Sequence, residues 1–114
     1  MMRKILPAIV FSLSLFLLLG CPERKTIAAI QRDPGYYQNR DIGVEGTVAD
    51  SFGGLGKGVY LLDDGTGQLW VYSDRLGVPS RGARVATHGH ILPTFTFAGQ
   101  SFVTVLREEE RKHR

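Results

Sequence analysis

Two stretches of this chain repeat one pattern, and the pattern constrains the fold more tightly than any other feature. Residues 41–48 read Asp-Ile-Gly-Val-Glu-Gly-Thr-Val, and residues 84–91 read Arg-Val-Ala-Thr-His-Gly-His-Ile. Alternate positions carry apolar or small side chains: Ile42, Val44, Gly46 and Val48 in the first, Val85, Thr87, Gly89 and Ile91 in the second. A two-residue period puts such residues on one face of a β-strand. A glycine stands at the same offset both times, and glycine lets a strand bend sharply, as the corners of a small closed barrel require.

Between the two stretches lies a hairpin: Val59-Tyr60-Leu61-Leu62, a turn Asp63-Asp64-Gly65-Thr66-Gly67, then Gln68-Leu69-Trp70-Val71-Tyr72. Residues 101–106, Ser-Phe-Val-Thr-Val-Leu, supply a last strand, giving five strands in about 65 residues. Upstream, Ile27 and Ile30 stand three apart among good helix formers, and Asp33-Pro34-Gly35 ends the pattern, so a short amphipathic helix or tether is expected over residues 23–32. The turn residues Asp63 and Asp64 support backbone, and no grouping of nucleophile, base and acid emerges from the strand phases, so an enzyme is not expected.

These motifs resemble the OB-fold, and within it the bacterial domains grouped as tRNA-anticodon-binding-like. The residues that carry the likeness are Ile42-x-Val44-x-Gly46-x-Val48, the hairpin from Leu62 to Val71, Gly82-x-x-Val85-x-Thr87-x-Gly89-x-Ile91, and the lead-in Asp33-Pro34-Gly35-Tyr36-Tyr37. The resemblance implies an all-β, five-stranded OB-like Greek-key barrel over residues 34–107, preceded by a short helix and followed by a charged tail over 108–114. Glu108, Glu109 and Glu110, flanked by Arg107, Arg111 and Lys112, read as that solvated end.

The first twenty residues stand apart. Arg3 and Lys4 precede an apolar run from Ile5 to Leu19 that meets Gly20-Cys21. The run is shorter than the about 20 apolar residues that span a bilayer, and its flanks are those of an export signal. Leu18-Leu19-Gly20-Cys21 resembles the lipobox of bacterial lipoprotein signal peptides. That resemblance implies cleavage before Cys21, a diacylglyceryl group on its thiol, and a chain tethered to a membrane of the cell envelope, facing the periplasm or the cell exterior. Pro22 after the cysteine, where an aspartate would signal retention, points to the outer membrane of a Gram-negative cell. Cys21 is the only cysteine, so no disulfide framework exists.

Charge bears on partners. Without Arg3 and Lys4 the exported chain holds 12 basic and 11 acidic residues. A net charge near +1 gives no field for displacing counterions from nucleic acid, which is not an expected partner. An envelope protein or another envelope component is the expected one, with an oligonucleotide as the rival and a metal or haem carrier as a third class. OB-folds bind through strands 2 and 3 and the adjoining loops. With Leu69 and Val71 inward, Trp70 and Tyr72 are expected to point outward as ligand contacts, the alternative being that the N-terminal helix or the 93–99 loop partly covers them, and Tyr60 is a neighbouring candidate. No cofactor is expected. His88 and His90, two apart on a strand, are weak metal candidates, because a stable site wants three or four ligands. Residues 51–58, Ser-Phe-Gly-Gly-Leu-Gly-Lys-Gly, lack the Ser or Thr a phosphate loop needs after Gly-Lys and read as a flexible loop between strands 1 and 2.

Overall fold

The computed structural model describes residues 23–114. The export signal and Cys21 lie outside the described residues. A two-residue strand β1 (Glu23–Arg24) leads into helices α1 (Ile27–Arg32) and α2 (Pro34–Tyr37). Five long strands follow: β2 (Ile42–Gly54), β3 (Lys57–Asp63), β4 (Gln68–Ser73), β5 (Arg84–Phe97) and β6 (Gln100–His113). Their order is β2-β3-β4-β6-β5, and β2 pairs with β5 to close the ring. Counting only these five, neighbours run 1-2-3-5-4-1, with β4 and β6 parallel and the other pairs antiparallel. This is the expected closed OB-like barrel.

Both echoed strands keep their phase. Ile42, Val44, Val48, Val85 and Ile91 are at most 2% exposed and join Tyr60, Leu62, Leu69, Val71 and Leu106 in one core. The two glycines mark the tightest crossings. The first half of β2 pairs with β5 and the second half with β3, and the handover falls at Thr47, beside Gly46. A Cβ at Gly46 would press on the carbonyl of Asp63, and one at Gly89 would overlap the carbonyl of Arg107.

The N-terminal segment differs in detail from the helix expected over 23–32. Glu23 and Arg24 pair with Ile42 and Gly43 of β2, and the helix begins only at Ile27. Thr26 caps it, its hydroxyl accepting from the Ala29 amide at 3.2 Å. Pro34 ends α1 and starts α2, because it lacks an N–H but fits the first turn of a new helix. Ile27 and Ile30 are fully buried and close one end of the core. Asp64 locks this plug: one carboxylate oxygen accepts from the Ile27 amide at 2.9 Å, and the other from the amide of Thr66 at 2.8 Å and that of Gly67 at 3.2 Å.

Three segments read as loops or tail are strand instead. Residues 51–54 and 57–58 belong to β2 and β3, joined by a two-residue turn at Leu55 and Gly56. Both turn residues have positive φ (54° and 80°), the primed geometry that matches strand twist. Residues 93–97 continue β5, and 108–113 continue β6. Pro93 obscured the first extension in the sequence. Among the described residues, β5 beyond Gly89 pairs only with β6, so Pro93 faces no second strand there and its missing N–H is tolerated. Thr104, opposite Pro93 in register, has φ 53° and kinks β6 where it leaves the barrel wall.

Candidate binding face and polar clusters

Outward positions of β3 and β4 carry Val59, Leu61, Trp70 and Tyr72, with Val59 opposite Tyr72 and Leu61 opposite Trp70. Trp70 and Tyr72 do point outward, but they are half-buried. The projecting part of the β5–β6 hairpin lies over them. Phe102 meets the Trp70 ring edge-on with centroids 4.9 Å apart, while Phe95 and Phe97 stand 4.2 and 6.1 Å from Tyr72. Val59, Phe102 and Val105 form the buried floor of this second apolar cluster. The alternative of partial cover by residues 93–99 is what the rings show, and the cover is strand rather than loop.

The cluster has one open flank. Phe52 stands 6.1 Å from Trp70 and remains 52% exposed. Three residues on, Leu55 projects fully into solvent from the turn at φ 54°. Asparagine or glycine suits that conformation, and leucine there gains neither burial nor relaxed backbone. The sequence signal for this site is an apolar residue within a Gly-rich turn.

Tyr60 is not part of this face. Its ring is fully buried inside the barrel, because Tyr60, Leu62, Leu69 and Val71 share the inward phase. Its hydroxyl donates to Glu108 Oε2 at 2.5 Å, and the Thr87 hydroxyl donates to the same oxygen at 2.6 Å. Arg111 binds Glu108 Oε1 at 2.9 Å and reaches the carbonyls of Leu76 and Gly77 at 3.1 and 3.2 Å. Burial and the adjacent Glu108 carboxylate push the Tyr60 pKa well upward, so the phenol stays protonated and remains a donor. Glu108 and Arg111 thus form an internal ion pair, where the sequence suggested a solvated tail.

His88 and His90 lie on the outer side of β5. His88 Nδ1 is 2.9 Å from Asp41 Oδ1, and its Nε2 is 3.4 Å from Glu110 Oε2. His90 Nδ1 is 2.6 Å from Glu109 Oε1. Partial burial works against a charged His88 ring, but the hydrogen bonds to Asp41 and Glu110 outweigh it and hold its pKa above the ordinary value. Donor atoms of Asp41, His88 and Glu109 lie within 4.8 Å of one another. A depression of about 390 Å³, floored by Gly43 and Ala86 and rimmed by Arg24, Lys112 and Arg114, adjoins His88.

Comparison with protein-family models and with curated protein sequences finds no match.

Proposed function

We propose that this chain is a lipid-anchored envelope protein whose barrel is a binding module for an apolar segment of another envelope protein. The observation that carries the reading is the open flank of the aromatic cluster, where Phe52 and Leu55 present apolar surface beside Trp70. Exposed apolar side chains that gain nothing from the fold are what a partner's own apolar residues would cover. The outward residues of β3 and β4 also argue against an oligonucleotide. The outward phase runs Lys57, Val59, Leu61 and Asp63 on β3 and Gln68, Trp70 and Tyr72 on β4, and its single cation at one end is too little to meet successive phosphates. Stacking alone offers about 1–3 kcal/mol per base, which from one or two rings corresponds to roughly millimolar binding.

The anchor rests on the junction Gly20-Cys21. Cys21 stands two residues before β1, so at most about 7 Å of chain separates it from the barrel. An acylated Cys21 would hold the domain directly on the membrane surface, with two or more chains giving stable attachment.

Labelled fatty acid should enter the wild type and be absent from Cys21→Ser; equal labelling would remove the anchor from the proposal. For the binding face, a photoreactive residue in place of Leu55 should give one discrete adduct with an envelope protein in intact cells. Trp70→Ala should abolish that adduct while the barrel stays folded. Single-stranded oligonucleotide should leave Trp70 fluorescence unaltered up to about tens of micromolar. Micromolar quenching that weakens steeply with salt would instead establish the oligonucleotide reading.

A further inference from the structure

The two histidines on β5 are arranged in a way that an ordinary solvated strand face does not require. Each ring has Nδ1 against a carboxylate: His88 against Asp41 at 2.9 Å, and His90 against Glu109 at 2.6 Å. Strand alternation would normally send only one of two consecutive residues to the outer side. Here a register shift intervenes. His88 pairs with Glu110 and Gly89 with Glu108, so Glu109 is the extra residue of a β-bulge in β6. With Glu108 turned into the barrel, both Glu109 and Glu110 are left outside, against the histidines. Bulges re-aim side chains in this way, and this one depends on Gly89, the residue whose Cβ would overlap the Arg107 carbonyl.

We infer that Asp41, His88 and Glu109, whose donor atoms already lie within 4.8 Å of one another, hold one divalent transition cation, with zinc the best match, and that the half-exposed His90, now 2.6 Å from Glu109, turns in as the fourth ligand. Two imidazoles and two carboxylates form a mixed nitrogen and oxygen set of the size a tetrahedral cation takes. The cation enters between each ring Nδ1 and the carboxylate oxygen that now faces it. The two pairs open from 2.9 and 2.6 Å toward the about 3.3–3.4 Å that separates neighbouring ligands around zinc. Asp41 and Glu109 are exposed and can make that adjustment, while His88 is held by its half-buried ring. Glu110, 3.4 Å from His88 Nε2, remains outside the ligand set and fixes the orientation of that ring.

The surrounding charges permit this. Three carboxylates, Asp41, Glu109 and Glu110, face the two rings. Of the nearby cations, Arg107 is paired with Asp74 at 3.1 Å, and Arg24 with Glu45 at 2.9 Å. Lys112 and Arg114 lie across the adjoining depression on the His88 side, and Arg75 lies beside His90. Because ring protons compete with metal, affinity falls as pH drops.

The test uses the full chain in detergent, freed of metal by chelator and titrated with zinc chloride by calorimetry, with cobalt(II) as a visible-absorption probe of coordination. The wild type should take up one equivalent with a dissociation constant of about 10 µM or tighter. His88→Ala should weaken binding by about 100-fold, and His90→Ala and Glu109→Gln by about 10–100-fold, with the tetrahedral cobalt spectrum lost in each. Glu109→Gln is an exposed, near-isosteric change, so its effect is separable from misfolding. Asp74→Asn, outside the ligand set, should bind as the wild type does. Absence of saturable uptake up to about 100 µM, or equal affinity in wild type and His88→Ala, would overturn the site.

Discussion

A single carboxylate shows how residue-scale chemistry decides the barrel interior. Glu108 has a fully buried side chain, and its two oxygens are satisfied by Tyr60, Thr87 and Arg111. An ion pair removed from water is a weak source of net stability, but breaking one partner leaves an uncompensated charge. Glu108→Gln should therefore destabilise the protein by about 3–5 kcal/mol in denaturant titration, whereas Glu108→Leu combined with Arg111→Met should recover most of that loss. A loss below about 1 kcal/mol for the single change would show that the pair is solvated. The sequence hid this network for a physical reason. Residues 107–112 are all charged, and nothing in such a run marks which one has its partner inside the barrel.

At the scale of elements, the alternating strands were legible and the extensions were not. Period two survives in β2 and β5 because one side of each faces a dry core, so every second residue must be apolar or small. The projecting hairpin obeys the same rule, with Phe95, Phe97 and Phe102 toward Trp70 and Tyr72. Its proline obscured that rule. Strand phase puts Trp70 and Tyr72 on the outer side, but it leaves open whether residues 93–99 cover them, because the contact joins segments more than twenty residues apart. The Asp64 turn was legible as a turn but not as the clasp of α1, since its bond to Ile27 spans 37 residues. Asp64→Ala removes the acceptor for three backbone amides and for the Thr66 hydroxyl. The unfolding free energy should fall by about 2 kcal/mol, and the Ile27 amide should lose protection from hydrogen exchange. Unchanged protection there would mean that the isoleucines alone hold the helix.

For the molecule as a whole, acidic and basic groups pull stability in opposite directions along the pH axis. Hydrogen bonds hold the Asp64 pKa below its ordinary value despite partial burial, and the Asp50 and Asp74 pKa values are lowered by Arg81 and Arg107. A depressed carboxylate stabilises the fold above its unfolded pKa of about 3.9, and that contribution is lost as pH falls toward the folded value. His88 works the other way. Its raised pKa stabilises below the unfolded value of about 6.5 and is lost as pH rises through the folded one. In chelator, the unfolding midpoint should drop below about pH 4 and also fall by a smaller step above about pH 6.5. His88→Gln should remove only the second step; its persistence would assign that step to another group.

Closure of the ring also sets how the chain must find its structure. β2 with β3, β3 with β4 and β5 with β6 are each joined by turns of two to four residues, whereas β4 meets β6 and β2 meets β5 through partners such as Trp70 with Val105 and Ile42 with Gly89, far apart along the chain. Hairpins form in about microseconds, but bringing distant strands together carries the entropy of closing the whole intervening loop. The two seams that join the β2–β4 meander to the β5–β6 hairpin are thus the slow steps of folding, and until both form, the strands that become the barrel wall keep unsatisfied edges open to other chains.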